Sequence, residues 1–401
     1  MSEREEELEI NTRVVHAGER LSAPVGSPVA PPIYATTTFT YDTMAEMDEV
    51  FAGTREGYVY TRHGNPTVHA LEEAVRALEG GAGACAYASG MAAMHAALLA
   101  CNLSPGSIVL ASQDLYGATA SLLKHVFGPF GVKTEQADFT NPDELAARVR
   151  QLRPRVLIAE TISNPLLKVC DIEACAHAAR EAGARLVIDN TFASPFLCRP
   201  VSMGADFVVH SATKYLGGHG DATGGVVVTR DAGDTPALVS AMKLAGGILG
   251  VWDAHEILRG IKTLALRLER QCANAFDLAE RLTAHPRIAR VRYPLLGDGA
   301  QRELAGRVLR RPHGGALVTV ELRDATREAA FRFMDALSLC VRSTSLGDVF
   351  TGVLHPATAA HRDLATERRL ALGITEGTVR ISVGVEDVGD IHRDIVRALE
   401  T

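Results

Sequence analysis

Four short apolar runs crowd the middle of this chain: RVLIAET at 155–161, RLVIDNT at 185–191, DFVVHS at 206–211 and GGVVVTR at 224–230. None shows a clean apolar–polar alternation. A strand with one wet face alternates; a strand covered on both faces has no reason to. Between two of these runs, IEACAHAAREAGA at 172–184 carries apolar residues at helical spacing. Upstream, AGACAYAS (82–89) and IVLAS (108–112) read as strands. TVHALEEAVRALE (67–79), GMAAMHAALLA (90–100) and the stretch from 115, LYGATASLLKHVF, read as helices. Strands with helices between them predict an α/β architecture, a mostly parallel sheet buried on both faces.

The flanks read differently. Residues 1–58 have little regular pattern, and PVGSPVAPPIY sets its prolines close together. Such a stretch predicts an extended arm, lying either on a partner subunit or back on its own domain. Residues 258–284, LRGIKTLALRLERQCANAFDLAERLTA, form a long amphipathic helical region. After it come strand-like VLRRPHGGALVTVELR (308–323), helical REAAFRFMDAL (327–337), strand-like TVRISVGVED (378–387) and helical DIHRDIVRALE (390–400). A chain of 401 residues has room for two domains. The expected division is an arm over 1–58, a large domain over 59–261 and a smaller α+β domain over 262–401.

Composition removes several function classes. The formal net charge is -7 and no basic stripe is present, which argues against nucleic acid. No run reaches the apolar length of a membrane span, and the start, MSEREEELEIN, is too polar and acidic for a signal peptide. The seven cysteines, at 85, 101, 170, 175, 198, 272 and 340, match no zinc spacing, and their odd number argues against a complete disulfide framework. A reduced, cytoplasmic chain without a metal is the expectation.

In α/β sheets, ligands bind beyond the carboxyl ends of the strands. Glu160 and Thr161, Asp189, and His210 with Ser211 all fall there, with Lys214 three residues further on. Ser89 and Gly90 mark the passage from a strand into a helix. The stretch SGMAAMH offers helix-start N–H groups as a phosphate seat, while neither a P-loop nor G-x-G-x-x-G occurs in the chain. Lys214, in HSATKYLGGHG, has three readings: a surface lysine, a phosphate lysine, or a covalent one that would need a carbonyl partner. Asp189 sharpens the third. A carboxylate at a strand end can keep a pyridine nitrogen protonated, as the electron sink of pyridoxal 5'-phosphate (PLP) requires.

Seven separated motifs then carry a resemblance that runs from about residue 12 to the end: YVYTRHGNPT (58–67), YASGMAA (87–93), DLYGAT (114–119), ETISNP (160–165), VIDNTFASP (187–195), VHSATKYLGGHGD (209–221) and VRISVGVED (379–387). In this order they resemble the Cys/Met metabolism, or trans-sulfuration, family of PLP enzymes. The resemblance implies the aspartate aminotransferase-like fold type I, with a three-layer large domain and a smaller C-terminal α+β domain. It implies PLP as cofactor, a small amino-acid substrate, and a homotetramer built as a dimer of active dimers, with the arm on the neighbouring subunit. By the same resemblance Lys214 is the Schiff-base lysine and proton carrier, Asp189 the pyridinium partner, and Tyr116 the residue that stacks on the ring and assists proton transfer. Gly90, Met91, Ser211 and Thr213 form the phosphate cradle, and Tyr60 with Arg62 reaches the phosphate of the neighbouring subunit. Arg380 clamps the substrate α-carboxylate, a task that suits a guanidinium fork. Ser345 and Asn164 support the carboxylate and the cofactor.

Two departures bear on the substrate. Phe350 stands where cystathionine-handling relatives carry a glutamate that holds the distal amino group, so the pocket is expected to be more apolar there. Ala118 stands where methionine γ-lyases carry a cysteine. HGDATGG (219–225) resembles methionine γ-lyases and homoserine-ester sulfhydrylases more than cystathionine enzymes. His219 takes no role. The expected reaction is γ-elimination from methionine or a related homocysteine thioether, giving 2-oxobutanoate, ammonia and a thiol. The alternatives are γ-replacement, by an O-acylhomoserine sulfhydrylase or cystathionine γ-synthase, and cystathionine γ-lysis. From other classes stand a relative without PLP acting as a binding protein, against which Lys214, Asp189 and Arg380 argue, and a PLP decarboxylase or aminotransferase, which the ETISNP and VHSATKYLGGHGD pattern resembles less.

Overall fold

A computed structural model describes residues 8–17, 28–296, 299–310, 312–362 and 364–401. Most of PVGSPVAPPIY is described, but its first residues, at 24–27, and the chain start lie outside the described residues.

Seven strands form the larger sheet: β1 (Gly83–Tyr87), β2 (Ile108–Ser112), β3 (Lys133–Ala137), β4 (Val156–Glu160), β5 (Arg185–Asp189), β6 (Phe207–Ser211) and β7 (Gly225–Thr229). Their spatial order is β1-β7-β6-β5-β4-β2-β3. Only β7 runs against the rest, antiparallel to both β1 and β6. The unalternating runs have the cause expected of them. In β5, Leu186 and Ile188 join one core while Val187 joins another; in β6, Val208 joins the first while Phe207 and Val209 join the second. Helices Pro66–Glu79, Ile172–Ala182 and Val251–Ile261 cover the first face, and helices Gly90–Ala100 and Thr235–Ala245 the second. The result is the expected three-layer fold.

Local signals set the helix ends. Asn65 caps Pro66–Glu79 by accepting the Thr67 N–H, proline occupies the first turn, and Gly80 closes the helix at φ 75°. Ser89 caps Gly90–Ala100 by accepting the Ala92 N–H at 3.1 Å. β3, KTEQA, escaped the sequence reading. It is the exposed outer strand, and polar residues on an edge deter pairing with another chain.

The second sheet is β10 (Val341–Arg342), β11 (Gly352–Leu354), β12 (Thr378–Ser382), β9 (Leu317–Leu322) and β8 (Ile288–Arg292), antiparallel except for β10 with β11. The helical region expected over 258–284 is two helices, Val251–Ile261 and Leu264–Thr283, with a break at Lys262 and Thr263. The second helix serves two cores. Leu264, Leu268 and Cys272 pack with the large sheet; Ala275, Leu278 and Leu282 pack with the small one. The stretch expected to lack pattern holds helices Ile10–His16 and Met44–Phe51. The first buries Val14 in the core of its own chain.

Helix Val251–Ile261 approaches the turn after Lys214 backbone to backbone. A Cβ at Gly260 would stand 2.0 Å from the Gly217 carbonyl oxygen. Gly260→Ala is therefore expected to cost about 2 kcal/mol or more, read as a lower midpoint in urea unfolding.

Candidate active site

The carboxyl ends of β4, β5 and β6 place Glu160, Asp189 and Ser211 on one face. Glu160 lies opposite Asp189 in register, and Ser211 lies two residues beyond Val209, the partner of Asp189. All three line a cavity of about 530 Å³, together with Gly90, Met91, Tyr116, Asn164, Thr213, Lys214 and Arg380. The small sheet closes the cavity, since β12 delivers Arg380. Contacts across the two units hold it there. Thr319 donates to the Pro165 carbonyl at 2.6 Å and Lys214 Nζ to Ser345 Oγ at 3.0 Å.

Arg380 is buried and, among the described residues, pairs with no carboxylate. Nη1 donates to Asn164 Oδ1 at 3.2 Å and Nη2 to the Ser345 carbonyl at 3.0 Å; Nε is buried without a partner. Burial lowers its pKa to about 10. A buried cation satisfied only by neutral acceptors is ready to receive an anion. Burial also lowers the Lys214 pKa, and the Arg380 charge lowers it further, against a smaller opposing pull from Asp348. Lys214 is thus biased toward the neutral amine that acts as nucleophile and base. Its backbone is held close: Gly347, at φ +83°, lets the 345–348 loop pass so near that a Cβ there would meet the Tyr215 amide nitrogen at 2.7 Å.

Asp189 is half-buried, accepts the Thr191 N–H at 2.9 Å, and has a pKa raised chiefly by desolvation. Glu160 Oε1 accepts the Tyr116 N–H at 2.5 Å and Oε2 the Asn164 N–H at 3.2 Å. Burial, then the Asp189 charge, pushes its pKa well up.

The fit to PLP is read from a cradle. Gly90 opens helix Gly90–Ala100, and a Cβ there would meet Ser211 Cβ at 2.7 Å and Oγ at 2.9 Å. Only glycine leaves that gap, where first-turn N–H groups and the Ser211 and Thr213 hydroxyls can receive a phosphate. A carboxylate for the pyridine nitrogen (Asp189), an amine for the aldehyde (Lys214) and an aromatic wall (Tyr116) line the same cavity. The residues fit the group.

Four expected residues lie outside the cavity lining. Tyr60 is 41% exposed; Arg62 sits 5.6 Å from the Tyr60 ring centroid and donates to the Lys243 carbonyl at 2.9 Å. Phe350 is half-buried on the loop before β11, with its carbonyl carbon close to Gly384. Ser345 meets the site through its bonds to Lys214 and Arg380. Residues not singled out as site residues also line the cavity, including Thr191, Phe192, Leu346, Leu354, Ala359 and Ala360. The 359–361 strap reaches it because Gly117 has no side chain: a Cβ there would meet the Ala360 carbonyl oxygen at 2.6 Å. A lone glycine and a pair of alanines carry no periodic signal. His361 behind the strap is buried, its pKa lowered to about 4 by burial and then by Arg380.

The depressed Lys214 pKa makes a prediction about the cofactor-free protein. The folded chain binds a proton there less readily than the unfolded chain, so stability from this group rises with pH from its lowered value toward 10.5. Cofactor-free Lys214→Met is expected to melt above the cofactor-free parent at neutral pH, and the gap should narrow as pH approaches 10.5.

Comparison with known proteins supplies the kinship. The family model described as "Cys/Met metabolism PLP-dependent enzyme" matches residues 11–400. L-methionine gamma-lyase of Pseudomonas putida is 42% identical over 390 residues, covering 97% of this chain and 96% of that protein. Cystathionine beta-lyase of Lactococcus lactis subsp. cremoris is 38% identical, covering 98% and 99%. Among solved structures, cystathionine gamma synthase from Xanthomonas oryzae pv. oryzae superposes with a TM-score of 0.91 at 36% identity, covering 98% of both chains. A Campylobacter jejuni protein whose structure carries N'-pyridoxyl-lysine-5'-monophosphate superposes at 0.92 with 28% identity, covering 98% of this chain and 100% of that one. With this cavity and a match along nearly its whole length, the chain belongs to the Cys/Met metabolism family of PLP-dependent enzymes.

Proposed function

We propose that this enzyme is a carbon–sulfur γ-lyase that cleaves L-methionine, or a related homocysteine thioether, to 2-oxobutanoate, ammonia and a thiol. The carrying observation is the cavity wall. Among the described residues its only carboxylates are Glu160 and Asp189, side by side at the carboxyl ends of β4 and β5, while Ile162, Phe192, Leu346, Leu354 and the Ala359–Ala360 strap make much of the rest apolar. Such a wall suits an uncharged thioether and offers no further acid for the distal ammonium of cystathionine. The likeness to methionine-cleaving relatives supports the same reading.

The geometry is compatible with the roles that the resemblance implies. Gly90 and Met91 N–H groups with Ser211 and Thr213 would hold the phosphate, Asp189 would keep a proton at the pyridine nitrogen, and Asn164 would support the cofactor. Arg380, backed by Ser345, takes the substrate α-carboxylate in its fork. PLP, when bound, supplies the electron sink for charge released at Cα. Lys214 Nζ takes the Cα proton and then moves protons at Cβ, which releases the sulfur from Cγ. The Tyr116 hydroxyl gives the leaving thiolate its proton. Phe350 shapes substrate choice from behind the lining, through the 345–350 loop.

We further propose the organisation read from the sequence: an arm over 1–58, a PLP-binding domain over 59–261, a small domain over 262–401, and a homotetramer of active dimers. Tyr60 and Arg62 lie on the exposed side of the chain, outside its own cavity, which supports their serving a neighbour. The cytoplasm suits seven free, buried cysteines.

Purified protein given L-methionine should release methanethiol and 2-oxobutanoate. Rapid turnover of cystathionine with none of methionine would refute the reading, and product that forms only when an acylated homoserine and a thiol are both present would establish γ-replacement instead. Shared sites have their own test. Lys214→Ala and Arg62→Ala should each be nearly inactive alone, while refolding them together should restore about a quarter of parent activity, because hybrid dimers hold one intact site. No recovery on mixing would place Arg62 in its own subunit's chemistry.

A further inference from the structure

Glu160 stands out among the buried groups the reaction does not consume. It is a carboxyl at the end of β4, 9% exposed, in register beside Asp189. Its two oxygens are committed to two different segments. Oε1 receives the backbone N–H of Tyr116, at the start of the segment that walls the ring seat; Oε2 receives the backbone N–H of Asn164, whose side chain in turn accepts from Arg380. Neither N–H sits in a strand ladder or a helix interior; Asn164 stands in a turn closed by the Leu167 N–H on the Ser163 carbonyl, yet both N–H groups themselves are taken up by the Glu160 side chain. The carboxyl therefore joins, through one rigid group, the ring wall, the carboxylate clamp and the strand end that carries Asp189.

We propose that Glu160 is a positioning residue that sets the spacing between ring seat and carboxylate clamp, so that the cofactor and the substrate α-carboxylate are aligned with Lys214 as one unit. It touches neither reacting carbon. Its contribution is the relative placement of Tyr116 and Asn164, and small displacements of such supports are costly to rate. Two carboxyls side by side at the carboxyl ends of β4 and β5 also disfavour a second charge there. Burial and the neighbouring Asp189 raise the Glu160 pKa, in keeping with this arrangement. The inference rests on the family's cofactor and not on which sulfur substrate is cleaved, so it can be read with PLP alone.

The test is Glu160→Gln, which keeps the shape and replaces one acceptor oxygen with an amide nitrogen, so that one of the two N–H groups loses its partner. The full-length protein is reconstituted with PLP. Cofactor-free melting confirms folding, visible circular dichroism of the bound cofactor reports ring orientation, and fluorescence titration gives the PLP dissociation constant. The expected result is an altered visible dichroic band, PLP affinity lower by about tenfold or more, and, with the substrate the purified parent turns over, a rise in KM together with a fall in kcat. Glu160→Asp keeps the carboxyl but shortens the reach, and should show the same dichroic change; it also serves if the glutamine variant does not fold. A visible band, PLP affinity and KM all within twofold of the parent in a folded variant would overturn the proposal. So would a loss of cofactor that is fully restored in Glu160→Asp, since the carboxyl group and not its reach would then be the property used. If the protein turns over no methionine but Glu160→Gln still alters the dichroic band, the substrate reading fails and this inference stands.

Discussion

A guanidinium buried without a counter-charge organises this molecule. Arg380 is removed from water, yet its described partners are an amide oxygen and a backbone carbonyl. Leaving a cation so placed is costly, and the small sheet bears that cost to keep a carboxylate receptor at the mouth of the large one. Burial first, and then the Arg380 charge, makes the Lys214 amine hold its proton less firmly and lowers the His361 pKa behind the strap. One unpaired charge thereby prepares both the binding of an amino acid and the base that attacks it.

Much of the large domain was legible because double burial removes alternation. The runs ending at Glu160, Asp189 and Ser211 read as covered strands, and ligand binding beyond strand ends located the site before any contact was seen. Reading failed where structure depends on tertiary company. KTEQA is a strand only because Ile108–Ser112 lies beside it. The break at Lys262 and Thr263 was hidden because apolar spacing continues on both sides of it. The strap of Ala359 and Ala360 was silent because its place is set by the absence of a side chain at Gly117, a cause that lies far away in the chain.

Substrate choice shows the same division. The position taken as informative, Phe350, does not line the cavity, whereas Leu354, two strand positions past Gly352, does. Leu354 pairs directly with Arg380 across β11 and β12. Residue identity in a loop can be compared by eye, but facing a cavity depends on strand parity, which a three-residue strand in a glycine-containing segment does not advertise. The apolar character expected from Phe350 is present, carried by neighbouring residues.

The helix Leu264–Thr283 has a consequence for how the protein holds together. Its first turns complete the core beneath the large sheet and its last turns complete the core beneath the small one. A cut anywhere along it would strip apolar cover from both halves. The two units are thus separate in architecture and joined in stability: neither fragment could keep its interior dry alone, and the clamp carried by one sheet cannot drift from the lysine carried by the other without bending the shaft they share.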